Sequence, residues 1–275
     1  MRTWVRVRLR WPTPATARPR ERSVATQPTV AVSQLLRPYP QYGDLNLYGW
    51  PGARDHYYAL QMKAERPMAR GLTFVVAYNY NQEYHTDWYN SVDYYNNKLT
   101  MFDRGNPRHN LRAAVSWEVP IGKGRQFLSN MPKGLDYLIG GWATSHLLMW
   151  NGGPLLQFGQ MNAPASAPSS SRSLSQWFDT TGFSQAAAYT SRTNPWYYDG
   201  LRGPRFWNLD STLVKYFQLT ERFKLEIRME FYNMPNKFMP SQPDMGVTSS
   251  TFGKSTWVAG GNYGREIQYN ARIHF

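Results

Sequence analysis

The last eleven residues constrain the fold more than any other stretch of this chain. Ile267, Tyr269, Ala271, Ile273 and Phe275 alternate without a break with Glu266, Gln268, Asn270, Arg272 and His274. A period of two is that of a β-strand with one apolar and one wet face. The alternation runs to the final residue and ends on an aromatic, where the tails of most soluble domains fray.

The same period returns upstream and predicts strands at residues 57–66, 72–82, 108–119, 139–150, 206–219 and 222–232, with the terminus as one more. In 72–82, Leu72, Phe74, Val76, Tyr78 and Tyr80 share a face. In 222–232, Phe223, Leu225, Ile227, Met229 and Phe231 oppose Arg222, Lys224, Glu226, Arg228 and Glu230. Most of these runs reach the ~9–11 residues that a tilted strand needs to cross a bilayer, beyond the ~5–6 usual in soluble sheets. The connections are unequal. Residues 67–71 and 220–221 read as tight turns and 120–138 as intermediate, whereas 83–106, 151–205 and 233–263 are long. In an antiparallel order all the long ones fall on one side, the asymmetry of outer-membrane barrels.

Composition agrees. Charged residues are 18% of the 275, below the roughly 25% usual in soluble domains, and aromatics reach 16%. No apolar run approaches the ~20 residues of a spanning helix. The reading is an all-β chain, an antiparallel transmembrane β-sheet of about seven strands from an incomplete outer-membrane β-barrel. The alternative is a stand-alone β-rich surface or carbohydrate-binding protein, because soluble antiparallel sheets alternate too.

Several function classes are excluded or unsupported. Without cysteine there is no disulfide, thiol nucleophile or cysteine metal site. His56, His85, His109, His146 and His274 show no metal-ligand spacing, and no phosphate loop or Gly-x-Ser-x-Gly elbow occurs. No cofactor, metal ligand or catalytic residue is expected. The formal charge of +13 is concentrated at the start, where residues 1–25 hold seven arginines against one glutamate. No basic groove or nucleic-acid module follows, so nucleic acid is not an expected partner. That basic stretch also lacks the apolar core of an export signal. Residues 1–29 are therefore expected to be an unstructured leader foreign to the barrel, and 30–275 its C-terminal part.

An Arg or Lys facing lipid at mid-membrane costs roughly 2–4 kcal/mol. Glu226, Arg228, Glu230 and Arg272 should therefore face the lumen, leaving Ile227 and Met229 for hydrocarbon. The loop at 78–97 is dense in aromatics and amides. Its Trp88, Tyr89, Tyr94 and Tyr95 either contact a ring-bearing external ligand or pack on one another. The low-complexity stretch 163–173, rich in Ala, Ser and Pro, is expected to bury no core.

The segments Arg202-Gly-Pro-Arg-Phe-Trp-Asn-Leu-Asp210, Lys215 through Asn233, and Asn236-Lys-Phe238 resemble the final barrel strands of TonB-dependent outer-membrane receptors. The similarity is to the large type with a carboxypeptidase-regulatory-like N-terminal domain. Gln34 to Tyr42, Tyr58 to Arg66, Asp103-Arg-Gly-Asn-Pro-Arg-His109, Val119 to Gly124 and Gly140-Gly-Trp142 look like the same family. The resemblance implies a plugged 22-stranded barrel that imports substrates with energy from the inner-membrane TonB complex. It also implies that Ile267, Tyr269, Ile273 and Phe275 form a C-terminal signal read by the barrel-assembly machinery. The plug and the TonB-contacting segment are not in this sequence, so the TonB complex would be reached only through other parts. The expected partners are outer-membrane lipid and the assembly machinery, and the expected location is the cell outer membrane.

Overall fold

A computed structural model describes residues 30–37, 39–42, 52, 54–87, 99–164, 166–261 and 264–275. The leader at 1–29 and the loop residues Trp88, Tyr89, Tyr94 and Tyr95 lie outside the described residues. Strands β1 (Arg54–Ala69), β2 (Leu72–Asp87), β4 (His109–Glu118), β5 (Trp142–Asn151), β8 (Phe206–Gln218), β9 (Lys224–Tyr232) and β10 (Glu266–His274) form one antiparallel sheet in that order. They are the seven strands that the alternation predicts. A short β3 (Thr100–Asp103) extends the sheet on β2. Strands β6 (Leu155–Gln157) and β7 (Tyr197–Arg202) pair separately. Two short helices, α1 (Val32–Leu35) and α2 (Lys133–Ile139), complete the elements used below.

Three boundaries move for local reasons. Strand β1 continues past Pro67, which an edge strand tolerates, and the chain reverses at Arg70 and Gly71, both at positive φ. The connection from β8 to β9 spans residues 219–223 rather than two residues, because Thr220 Oγ1 accepts from the Phe223 amide at 3.1 Å and rounds the turn. Strand β5 starts at Trp142 rather than 139. Residue 139 ends α2, and Gly141 bridges the two with φ +67 where a Cβ would meet the Tyr216 carbonyl at 3.0 Å.

Register turns alternation into two faces. Residues paired across strands share a face, so Leu60, Tyr80, Leu111, Leu148, Leu209, Met229 and Tyr269 fall on one. Lys63, Arg112, Glu118, Glu226, Arg228, Glu230 and Arg272 fall on the other. The turns after β1, β4 and β8 lie at one rim, and the long connections after β2, β5 and β9 at the opposite rim. At the short-turn rim α2 leans on the sheet, with the Tyr137 ring 5.5 Å from Phe217 and its hydroxyl donating to the Gln218 carbonyl at 3.0 Å.

The closely packed core is not in the sheet. It sits in the long connection between β5 and β8, where Phe158 and Phe178 are 0% exposed and Leu156, Met161, Tyr198, Leu201 and Trp177 pack around them. An apolar face turned to lipid needs no protein cover, whereas a connection in water must bury its own aromatics. The stretch 163–173 buries no core of its own, and most of its described residues are exposed. Ala163 packs against this core, the Asp179 amide donates to the Ser169 carbonyl at 2.8 Å, and Ser170 Oγ donates to the Trp177 carbonyl at 3.2 Å. Among the described residues of the stretch, Ala163 is the one that packs on the core supplied by Phe158, Trp177 and Phe178.

Candidate functional site

At the long-connection rim the sheet and its loops frame an open cavity of about 1030 Å³. Its floor is a row of rings, His109 at the start of β4, Trp150 at the end of β5 and Trp207 at the start of β8. Trp150 and Trp207 are direct cross-strand partners, and the His109 and Trp150 centroids are 5.8 Å apart. All three rings stand on the apolar face, in line with Leu111, Leu148 and Leu209. The walls come from loops: Gly152 and Gly153, Arg172 with Leu174 and Trp177, residues 202–205, and residues 237–240.

Each wall is pinned. Asp103 Oδ2 accepts from Arg202 Nη2 at 2.6 Å and from Arg108 Nη2 at 2.7 Å, while its Oδ1 accepts from the Gly105 amide at 2.8 Å. Arg202 Nη1 donates onward to the carbonyls of Asn106 and Gly153 at 3.0 and 3.1 Å. Trp177 Nε1 donates to the Arg202 carbonyl at 2.8 Å. Gly153 runs so close to the Gly203 carbonyl that a Cβ would lie 1.8 Å from it, so only glycine fits. Asn233, at φ 48, clasps both the amide and the carbonyl of Lys237 with its side-chain amide at 2.9 and 3.1 Å. Asparagine suits this left-handed position.

The cavity is strongly one-signed. Arg172, Arg202, Arg205 and Lys237 line it, and among the described residues no carboxylate does. Arg202 is committed to Asp103; burial lowers its pKa against the pull of that carboxylate. Burial likewise acts to lower Arg108, but its bond and attraction to Asp103 outweigh that and hold it above the usual arginine value. The side chains of Arg172, Arg205 and Lys237 are exposed and have no hydrogen-bond or ion-pair partner among the described residues.

The opposite face carries the charges named from sequence. Arg228 bridges Glu226 at 2.9 Å and Glu230 at 3.4 Å, and His274 Nε2 lies 2.8 Å from Glu226 Oε2. Arg272 stands opposite Glu226 in register but does not join that cluster. Tyr232 Oη also donates to Glu230 Oε2 at 3.4 Å. Ile267, Tyr269, Ile273 and Phe275 lie at the outer edge of β10, exposed on the apolar side. Sequence reading missed the cavity residues. The usable signal was the clustering of tryptophans with close-approach glycines in Trp150-Asn-Gly-Gly153 and Arg202-Gly-Pro-Arg-Phe-Trp207.

The apolar face is not uniformly apolar. Thr144 Oγ1, His146 and Ser211 Oγ form a hydrogen-bonded chain at 3.0 and 2.8 Å, satisfying one another. Lys215 reaches the Gly140 carbonyl at the short-turn rim and lies over the rings of Trp142 and Phe217 at 5.3 and 5.1 Å. Such a lysine places its charge at the rim while its stem stays apolar.

Long antiparallel strands with an apolar and a charged face, and loops gathered at one rim, define a membrane β-barrel sheet. The chain belongs to the outer membrane beta barrel domain family, whose model matches residues 3–268. That membership implies residence in the outer membrane. No curated protein and no solved structure matches the chain.

Proposed function

We propose that this chain supplies the C-terminal barrel strands of a TonB-dependent outer-membrane receptor, acting in substrate uptake and not in catalysis. The observation that carries the reading is the pair of free edges. Among the described residues β1 pairs only with β2, and β10 only with β9. Unpaired strand amides in hydrocarbon cost several kcal/mol each, so further strands must complete the wall. The motif segments agree with the reading. Asp103-Arg-Gly-Asn and Arg202-Gly-Pro-Arg, both similar to that receptor type, meet at one brace.

In this reading Glu226, Arg228, Glu230 and Arg272 face the lumen, and the edge strand β10 with Phe275 engages the assembly machinery. The TonB complex acts through parts beyond these strands. An immunoblot of outer-membrane fractions with an antibody to a peptide from 151–205 tests it. A heat-modifiable band much larger than 31.9 kDa is expected. A single soluble band near that mass would sink the proposal.

A further inference from the structure

We propose that the rim cavity seats a phosphorylated lipid headgroup of the outer leaflet. The inference rests on the outer-membrane barrel and not on transport, so it stands whether or not the protein imports anything.

Position argues first. The cavity floor, His109, Trp150 and Trp207, continues the apolar face row by row into Leu111, Leu148 and Leu209. A molecule resting on it has hydrocarbon-facing wall directly beneath and the water-exposed loops beside it. Only an amphiphile, with an acyl body below and a polar head above, matches both. Tryptophan suits this level, since its ring is apolar and its N–H is polar.

Charge argues second. On the polar face Arg228 is neutralised in place by Glu226 and Glu230. At the cavity Arg172, Arg205 and Lys237 converge with no acid among the lining residues. Three exposed cations so arranged repel one another unless an anion lies between them. Phosphate fits best, because arginine meets its oxygens in a fork and lysine adds a point charge. An inorganic anion would have no use for the ring floor, whereas a lipid phosphate has use for both halves.

Rigidity argues third. The Asp103 brace, the Gly153–Gly203 contact and the Asn233 clasp fix three walls before any ligand arrives. A preformed seat loses little conformational freedom on binding.

The test uses the full chain extracted from outer membranes, delipidated in detergent and examined by native mass spectrometry. The added probe is a diphosphorylated glucosamine-disaccharide lipid, compared with the same lipid stripped of phosphate. The intact protein should retain one phosphorylated lipid and not the stripped one. A triple Arg172→Ala, Arg205→Ala, Lys237→Ala variant should lose about tenfold or more in affinity. Replacing Lys123, Arg125 and Lys133 at the opposite rim should change nothing. The exposed single variant Lys237→Gln, with an expected loss of about threefold, keeps the test decisive if the triple variant does not fold. Equal retention by the variants, or equal binding of the stripped lipid, would overturn the proposal. Displacement of the lipid by inorganic phosphate at matched concentration would also overturn it, reassigning the seat to a soluble anion.

Discussion

Arg202 donates to Asp103 across 99 positions of sequence, Nη2 to Oδ2 at 2.6 Å, and Arg108 shares the same oxygen at 2.7 Å. The Asp103 side chain is 8% exposed, and both guanidinium groups close on the same oxygen of it. Asp103→Asn would leave both arginines underpaired at the junction of three loops. Removing one partner of a buried pair costs about 3–5 kcal/mol, and the surviving amide acceptor keeps this case near the low end. Proteolytic nicking within residues 151–205 should accelerate by about a hundredfold, with the sheet strands still protected. Unchanged nicking would show that the brace does not hold the rim.

Phe178→Ala tests the separation between loop core and sheet. Phe178 is fully buried, 5.4 Å from Phe158 and 5.5 Å from Phe252 between ring centroids. Truncating such a ring costs about 3–5 kcal/mol. Hydrogen exchange should speed up in β6, β7 and their neighbours while β4 and β5 keep their protection. Loss of protection throughout would mean that the loop core supports the sheet.

Neighbouring positions on β10 should respond oppositely to a charge. Tyr269 pairs with Met229 on the apolar face and Gln268 with Glu230 on the polar one. Tyr269→Arg should cost about 2–4 kcal/mol and Gln268→Arg less than about 1, by the depth-dependent cost of a lipid-facing arginine. Denaturant titrations of folding into vesicles would measure both. Equal costs would contradict the assignment of faces.

Acid should loosen one external turn. Asp244 is held below the usual aspartate range by hydrogen bonds from Ser249, Thr251 and the Gly246 amide. Because the folded value is the lower one, its stabilisation is complete above the unfolded value of ~3.9 and is lost as pH falls through the folded value. The ratio of Gly246 amide exchange in Asp244→Asn to that in the unchanged protein should exceed one near neutrality. It should approach one in strong acid. A ratio constant with pH would show that the carboxylate charge plays no part.

Gly153→Ala should disrupt the rim more than its single methyl suggests, since a Cβ would stand 1.8 Å from the Gly203 carbonyl. The backbone must separate, opening the cavity wall. Faster cleavage at residues 152–154 is expected, and a variant as resistant as the parent would be inconsistent with that close approach.

Local patterning is enough to place the seven long strands, their two faces and the two rims. Alternation is local: whether Ile227 and Arg228 part company depends only on the period of the backbone and the cost of charge in hydrocarbon. For the same reason Glu226, Arg228, Glu230 and Arg272 were legible as one charged face. Tertiary structure alone decided the rest. Nothing near Asp103 announces Arg202, and nothing in an Ala, Ser and Pro run says that Ala163 will pack on the core around Phe158 and Phe178. The side chains of Arg172, Arg205 and Lys237 come to one cavity only when separate loops bring them to the place that Trp150 and Trp207 also line. Long-range pairing of this kind depends on the sum of many packing choices, and no local period records it.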